Sequence, residues 1–563
     1  MQSIIKNRNI QLTFVGIVLF IFFLGNYQFS LWDNSESVVA LTAQKAALTG
    51  DWTPAFFSFV DGIRLHPLQV WETIISYEIF GVSEFATRFP ALLYVVLTLV
   101  TLFYFVRNWY DEKTAILAIV ILSSSFLLPT LAKVNLAESG LLFYATVMFG
   151  AFWSNLKTKD LKMTIVFWVA ALFSTFHGGF VAIIPFVGSW LVLFFVKKEQ
   201  RQALMNIQPY LIIVAIIPII AWAMMNKVDA DSLKIDPSMF FNSSDLTKNS
   251  TSVNIGRQTF LLLIGFLPWI TLLPASLVRL GKEAVKRDET ALFFGAWIVF
   301  GYVLFEFLPT TMQMPSVVIF PAIAILMAQK FWYHEAACER FQNAPINEHL
   351  EIRAKKAGFQ EENVMKTSQL LGVIAVFVIT FILSMIGYSQ GVGIMRTGFV
   401  GMILWITSFI VAIGLYARNM NMVFYGAVSG GLLFVLFTWL LVIPVLEPAR
   451  SFTKRTAETV EKLEGEGTVI VAVSDEYALP SLPFYLDKKS VKFSFNSDKK
   501  TIKETVKSLY FEDKKHTFIL DDYQYKAIKK IVNSDKNKAA QMIPIEGVLM
   551  KDRRAGNYWI VQQ

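Results

Sequence analysis

The apolar runs of this chain recur at about the length needed to cross a bilayer, and this limits the possible folds more than any other feature. A spanning helix takes roughly 20 mainly apolar residues. Runs of that kind fall near 10–29, 86–106, 113–130, 139–155, 162–177, 179–196, 209–226, 258–278, 289–308, 315–332, 368–388, 395–417 and 423–446. The expectation is a polytopic α-helical membrane protein with about 13 transmembrane helices. Between Met163 and Val196 the run reads as one long bent element or as two spans joined by a tight turn at His177-Gly178-Gly179, and its length fits two. Composition agrees, with 55% of residues hydrophobic and only 17% charged, a balance of the membrane class. The amino terminus has a basic start and an apolar core but no small-residue cleavage pattern before Trp32 and Asp33, so it reads as a retained first span.

Charge supplies the topology. A net charge of +8 invites a nucleic-acid partner, but most of the basic residues sit in short loops beside apolar spans, where insertion explains them and no nucleic acid is needed. With the amino terminus inside, Lys6 and Arg8, Arg107 and Lys113, Lys157 and Lys162, Lys197 and Arg201, Arg279 to Arg287, Lys330 to Lys366, and Arg418 all fall on the inner side. The first loop, the turn from Lys133 to Glu138, the 227–257 segment and everything after about Glu447 then lie outside, and an odd span count puts the two chain ends on opposite faces. This suits a multi-pass protein of a bacterial inner membrane with a cytoplasmic amino terminus.

Two domains are expected: a transmembrane domain over 1–446 and a periplasmic, soluble α/β domain over 447–563. Within the first, 31–85 is a periplasmic loop with juxtamembrane helices, and 333–367 is a cytoplasmic linker carrying Cys338, the single cysteine, which rules out a disulfide framework or cysteine metal site within one chain. In the second, β-branched or aromatic runs at 468–474, 491–495, 516–522 and 558–563 alternate with helical stretches, which reads as a largely parallel sheet. It has no Gly-rich phosphate loop and no metal-ligand spacing, so a lid or recognition module is its expected role.

Acidic groups at a membrane edge are costly unless they are paired or functional. Asp33 and Glu36 follow the first span directly and, at i and i+3, could share one face of a helical turn. Glu138 stands at the outer mouth of the fourth span in LAKVNLAESG, beside Lys133 and Asn135; a lone acid there could also do no more than favour a helix amino terminus. His66 precedes Pro67 and His177 precedes two glycines, both on the outer side. A lone histidine is more often a packing residue, but two at outer turns suggest anion contact or metal ligation. Arg64, Arg88 and Arg257 add fixed positive charge near the same face, with solvation the default for Arg257. Glu36, Glu138 and His66 are the groups that could hold a divalent metal ion; no nucleotide cofactor is expected.

The first loop with GDWTPAFF, a basic-residue-Pro step at His66-Pro67, Arg88 after FGVSEFAT, then GFLPWITLLP (265–274) and MPSVVIFPAIAILMA (314–328), resembles the integral-membrane GT-C glycosyltransferases. The likeness is to the aminoarabinose transferase and protein O-mannosyltransferase branch, glycosyltransferase family 39/83-like, over residues 1 to about 335, and more loosely to YALPSLPFYL (477–486) in the tail. The resemblance implies a polyprenyl-phosphate (undecaprenyl-phosphate) sugar donor and a lipid A, protein or glycan acceptor. The family's Asp-Glu pair falls on Ser35-Glu36, with Asp33 two residues earlier, and its second acidic site falls on Glu138. Its phosphate-side lysines fall on His66, His177 and Gln313, so three fixed cations are replaced by neutral or titratable groups.

These residues imply Glu36 or Asp33 as base, Glu138 orienting the acceptor or helping to hold a metal, and Arg88, Arg64, His66 and His177 facing phosphate. The competing classes are a transporter or flippase of a lipid-linked glycan, marked by inverted repeats and broken helices, and a degenerate relative acting as a binding subunit. If His66 faces phosphate, His66→Lys should retain more transfer activity than His66→Ala in a proteoliposome assay; equal loss in both would remove His66 from the phosphate site.

Overall fold

The computed structural model describes residues 7–32, 35–52, 59–60, 63–64, 67–213, 216–217, 256–307, 312, 314–343, 356–389, 393–463, 468–471, 481–486, 491–493, 516–522, 524–526, 529, 541–549 and 554–562. It divides into two compact units: Met1–Leu24, Gly62–Gln69 and Arg88–Val442 form the first, and Gly25–Asp61, Val70–Thr87 and Ile443–Gln563 the second.

The first unit is helical. Among the described residues, seven helices are long and apolar enough to cross a membrane, or eight if one bent pair is a single span. Several of the other predicted spans are met by shorter helices, such as Arg8–Phe23 and Ile183–Val196, and that predicted at 209–226 lies mostly outside the described residues. Burial separates centre from periphery. The apolar window of Pro315–Ala336 is 83% buried and that of Asn363–Tyr388 only 28%, so Leu370, Phe377 and Phe381 stay exposed, as lipid-facing side chains are. The chain is thus a multi-pass membrane protein. In the core, Phe149 stacks on Trp297 at 3.8 Å and Trp153 on Phe293 at 4.4 Å, which locks the Ala137–Thr158 helix to Glu289–Phe307.

One predicted span is corrected. The run at 258–278 is not continuous: Arg257–Gly265 and Trp269–Val285 meet at 106°. Gly265 sits where a side chain would meet Phe320, and Pro268 has no N–H to continue a helix. Apolar length alone gives no sign of such a corner. The last helix behaves differently. Pro444 leaves a carbonyl one turn earlier without its donor, and the chain absorbs this as a π-turn at Thr438–Val442 before Ile443–Arg450.

The second unit holds the Ser35–Thr49 helix and a five-stranded sheet ordered Val491–Phe493, Thr468–Val471, His516–Asp521, Arg554–Gln562, Gln541–Leu549. The sheet is mixed rather than largely parallel. Thr468–Val471 runs parallel to both its neighbours, while Arg554–Gln562 is antiparallel to His516–Asp521 and to Gln541–Leu549. The short link between the last two strands leaves no room for the crossover that parallel pairing needs. Pro544, which cannot donate to a ladder, lies on the edge strand. The amphipathic helix Phe452–Lys462 covers one face, placing Phe452, Ala457 and Val460 against Val469, Val471, Ile519 and Ile560.

Close packing in the membrane unit leaves little room at particular glycines. A methyl group at Gly431 would run into the Ser124 carbonyl oxygen, which is backbone and cannot swing aside, whereas one at Gly295 meets nothing within 4 Å. Gly431→Ala should therefore lower stability by about 1–3 kcal/mol through overpacking, read as a fall in detergent melting temperature, while Gly295→Ala leaves it unchanged or slightly higher.

Candidate functional site

In the membrane unit a buried polar cluster surrounds the start of the Ala137–Thr158 helix. The short helix Leu127–Leu131 ends in a turn, and Leu136 turns extended, so Glu138 falls in the first turn of the next helix. Glu138 is 3% exposed, and its Oε1 accepts the N–H of Met314 at 3.1 Å. Just ahead of it, Asn135 accepts two hydrogen bonds from Gln69 Nε2, on its carbonyl at 3.1 Å and its side-chain oxygen at 3.2 Å. His177 is buried at the end of Leu161–Gly178, edge-on to Tyr94 with ring centroids 5.3 Å apart. It occupies the space that a side chain at Gly140 would fill, so the imidazole rests on the helix two residues after Glu138. Tyr94 and Tyr144, both against His177, share a hydrogen bond of 2.8 Å.

Two buried cations belong to the same unit. Arg88 and Lys133 are each 1% exposed. Lys133 Nζ donates to the carbonyls of Ile21, Phe22 and Leu24, the last turn of the first helix, and lies 5.1 Å from the Trp439 ring. Carbonyls at a helix end have no partner within the helix and favour a cation. Burial first, and the charge of Arg88 second, push the Lys133 amine down from 10.5 to about 7. In the sequence Lys133 is a neighbour of Glu138 in the turn 133–138. The signal was there: a lysine among apolar residues at a membrane edge.

In the second unit Glu36 is completely buried near the start of Ser35–Thr49, and its Oε2 accepts the Trp32 N–H at 3.0 Å. The other candidates fall as follows. Arg257 is exposed at the start of its helix. The carboxylate of Glu306, near the end of Glu289–Phe307, accepts the N–H groups of Gly256 and Thr259, so it caps the start of the Arg257–Gly265 helix. Asp33, His66 and Gln313 lie outside the described residues, as does the side chain of Arg64, whose backbone ends the strand Ile63–Arg64. His177 thus packs on the first turns of the helix that carries Glu138, at Gly140 two residues after it, and Lys133 lies within reach of the charge of Arg88. For a metal ion, no group of three or more His, Cys, Asp or Glu side chains arranged to hold one occurs among the described residues.

The profile of the Dolichyl-phosphate-mannose-protein mannosyltransferase family matches residues 66–224. Undecaprenyl phosphate-alpha-4-amino-4-deoxy-L-arabinose arabinosyl transferase 2 of Proteus mirabilis (strain HI4320) is 24% identical over 331 residues, 56% of this chain and 59% of that protein. The transferase of Yersinia pestis (strain Pestoides F) is 22% identical over 287 residues, 49% of this chain and 51% of that protein. The chain spans a little over half the length of these curated relatives. Crystal structures of ArnT from Cupriavidus metallidurans match over nearly the whole chain. The apo form has a TM-score of 0.66 at 16% identity, covering 98% of this chain and 97% of that one. The form bound to undecaprenyl phosphate has 0.67 at 15%, covering 99% and 98%. The fold is that of a GT-C integral-membrane glycosyltransferase. The chain resembles the aminoarabinose transferases in architecture and, at 22–24% identity, over about half of its sequence.

The lowered amine of Lys133 has a measurable consequence. Its unfolded form holds a proton to higher pH than its folded form, so this group adds stability as pH rises through the window from about 7 to about 10.5. The melting temperature of wild type minus that of Lys133→Met, measured in detergent, should grow more positive as pH rises from about 7 to about 10. A flat difference would mean that Lys133 titrates normally.

Proposed function

We propose that the chain moves a sugar from a polyprenyl-phosphate donor, of the undecaprenyl-phosphate class, to a hydroxyl or phosphate of a lipid, protein or glycan acceptor. The observation that carries this is the fold, shared over 99% of the chain with a transferase solved bound to undecaprenyl phosphate. The relatives' donor, an undecaprenyl phosphate-linked 4-amino-4-deoxy-L-arabinose, is the first to try, with lipid A as acceptor. The expected setting is a bacterial inner membrane with about 13 spans, the amino terminus inside and the C-terminal α/β domain outside.

The chemistry follows from the donor. An acceptor oxygen attacks the anomeric carbon of the sugar, the bond from that carbon to the phosphate oxygen breaks, and its electron pair stays on the departing polyprenyl phosphate. When the acceptor is a hydroxyl, its proton passes to a carboxylate, Glu36 or Asp33. Glu138 orients the acceptor, held in place by the Met314 N–H. Arg88, with Arg64, His66 and His177, offsets charge on the leaving phosphate; Lys133, whose amine is taken up by the Ile21, Phe22 and Leu24 carbonyls, holds the end of the first helix instead. The sugar is already activated by its phosphate linkage, so no nucleotide is required.

Glu36→Gln and Glu138→Gln should each reduce transfer about a hundredfold or more, the scale of a general base or an essential orienting group, in proteoliposomes loaded with radiolabelled donor and with unchanged protein insertion. Wild-type turnover in the double variant would overturn the assignment. Among the described residues, the bent span Arg257–Gly265 and Trp269–Val285 is a feature a flippase would share; vectorial movement of donor that survives Glu36→Gln, with no transfer, would establish that function instead.

A further inference from the structure

Three successive backbone N–H groups in the second unit are taken by three side chains from different parts of the chain. Ser30 N–H goes to Glu447 Oε1 at 2.7 Å, Leu31 N–H to the Tyr485 hydroxyl at 2.9 Å, and Trp32 N–H to Glu36 Oε2 at 3.0 Å. Residues 30–32 belong to no helix or strand, and Ser30 and Leu31 are buried. Without these acceptors the amides would be left unsatisfied away from water, at a cost comparable to a lost hydrogen bond each.

The acceptors are themselves oriented. Tyr485 accepts from Leu31 and turns its own O–H toward Glu84 Oε1, a long contact of 3.4 Å. Glu84 is paired with Lys454, Nζ to Oε1, at 2.5 Å. The helix that carries Glu36 has a second tie, from Gln44 Nε2 to the Phe484 carbonyl at 3.2 Å. Both flanks of the turn bearing Glu36 are therefore fastened to residues after Ile443. A hydrogen bond from Trp32 to the Glu36 carboxylate then transmits any slip of this segment to the carboxyl group.

We infer that Tyr485 and Glu447, in the C-terminal part of the chain, are positioning residues for Glu36. They act through the Ser30–Trp32 backbone and touch no substrate. The inference rests on the proposed transfer reaction with Glu36 as its base, and it gives the C-terminal segment a role in that reaction other than lid or recognition module. A displacement of about 1 Å at a reacting group can cost about a hundredfold in rate, so loss of one tether should show in turnover before it shows in folding.

The test uses the full-length protein in nanodiscs and reads two things: deuterium uptake of the backbone over residues 29–36, and kcat and KM with undecaprenyl phosphate-linked 4-amino-4-deoxy-L-arabinose. Tyr485→Phe, which deletes one hydroxyl, and Glu447→Leu should each speed exchange in this segment and lower kcat about tenfold, with donor KM and melting temperature nearly unchanged. Glu447→Gln keeps an oxygen that can accept the Ser30 N–H and should retain turnover within about twofold of wild type. Unchanged exchange in Tyr485→Phe overturns the inference whatever the activity. So does faster exchange at wild-type kcat, or a Glu447→Gln variant as impaired as Glu447→Leu. If wild type itself transfers no sugar, the proposed reaction fails, the inferred role in catalysis falls with it, and the exchange data show only whether the tether exists.

Discussion

A charged side chain removed from water must find a partner, and in this protein the partner is repeatedly a loose end of backbone. Lys133 takes the terminal carbonyls of the first helix, and Glu306 takes the amides that open the Arg257–Gly265 helix. Glu138 takes the Met314 amide, while Glu447 and Glu36 take those of Ser30 and Trp32. Helix ends and irregular segments are where amides and carbonyls lack partners, and a bilayer offers no water to supply them. The same contacts that stabilise helix ends and irregular segments thus decide where these buried charges stand.

That arrangement has a chemical consequence. A carboxylate fixed by a backbone N–H keeps one orientation without help from a flexible side chain, and a reaction that depends on a proton acceptor at one distance gains from such fixity. Glu138 and Glu36 are both held this way, within separate units. His177 shows a steric version of the same principle: Gly140 leaves a hollow on its helix, and the imidazole fills it between Tyr94 and Tyr144.

Much of this was legible in the sequence wherever length and periodicity decide the outcome. The apolar runs at 86–106, 289–308 and 395–417 became the helices Glu84–Trp109, Glu289–Phe307 and Ile394–Tyr416 almost residue for residue, because helix length in a bilayer is set by apolar length. Partnering was not legible. Glu306 is an acid inside an apolar run, and the amides it caps lie about 50 residues away in the chain, beyond the reach of any local pattern. The strand Gln541–Leu549 escaped notice because its proline and glycine weaken a β pattern that only the adjacent hairpin strand restores. Of the candidate site, Glu36, Glu138, Arg88 and His177 proved to be buried, whereas Arg257 is exposed as its default reading held.

The bent span bears on the choice between transferase and transporter, because transporters break helices where unwound backbone lines a cavity and coordinates a solute. Here the corner is filled. Phe266, Leu267 and Trp269 are fully buried, Phe266 stacks on Phe320 at 4.3 Å, and the Trp269 indole donates to Ser124 Oγ at 2.9 Å. The backbone just past the corner is satisfied by one side chain: Ser368 Oγ donates to the Thr271 carbonyl at 2.6 Å and accepts the Ala275 N–H at 3.1 Å. A solute seeking those groups would have to displace Ser368 and the aromatic packing together. The bend is better explained as a packed turn that the Gly265 and Pro268 positions permit, closed by the same aromatic packing and side-chain hydrogen bonds that fill its corner.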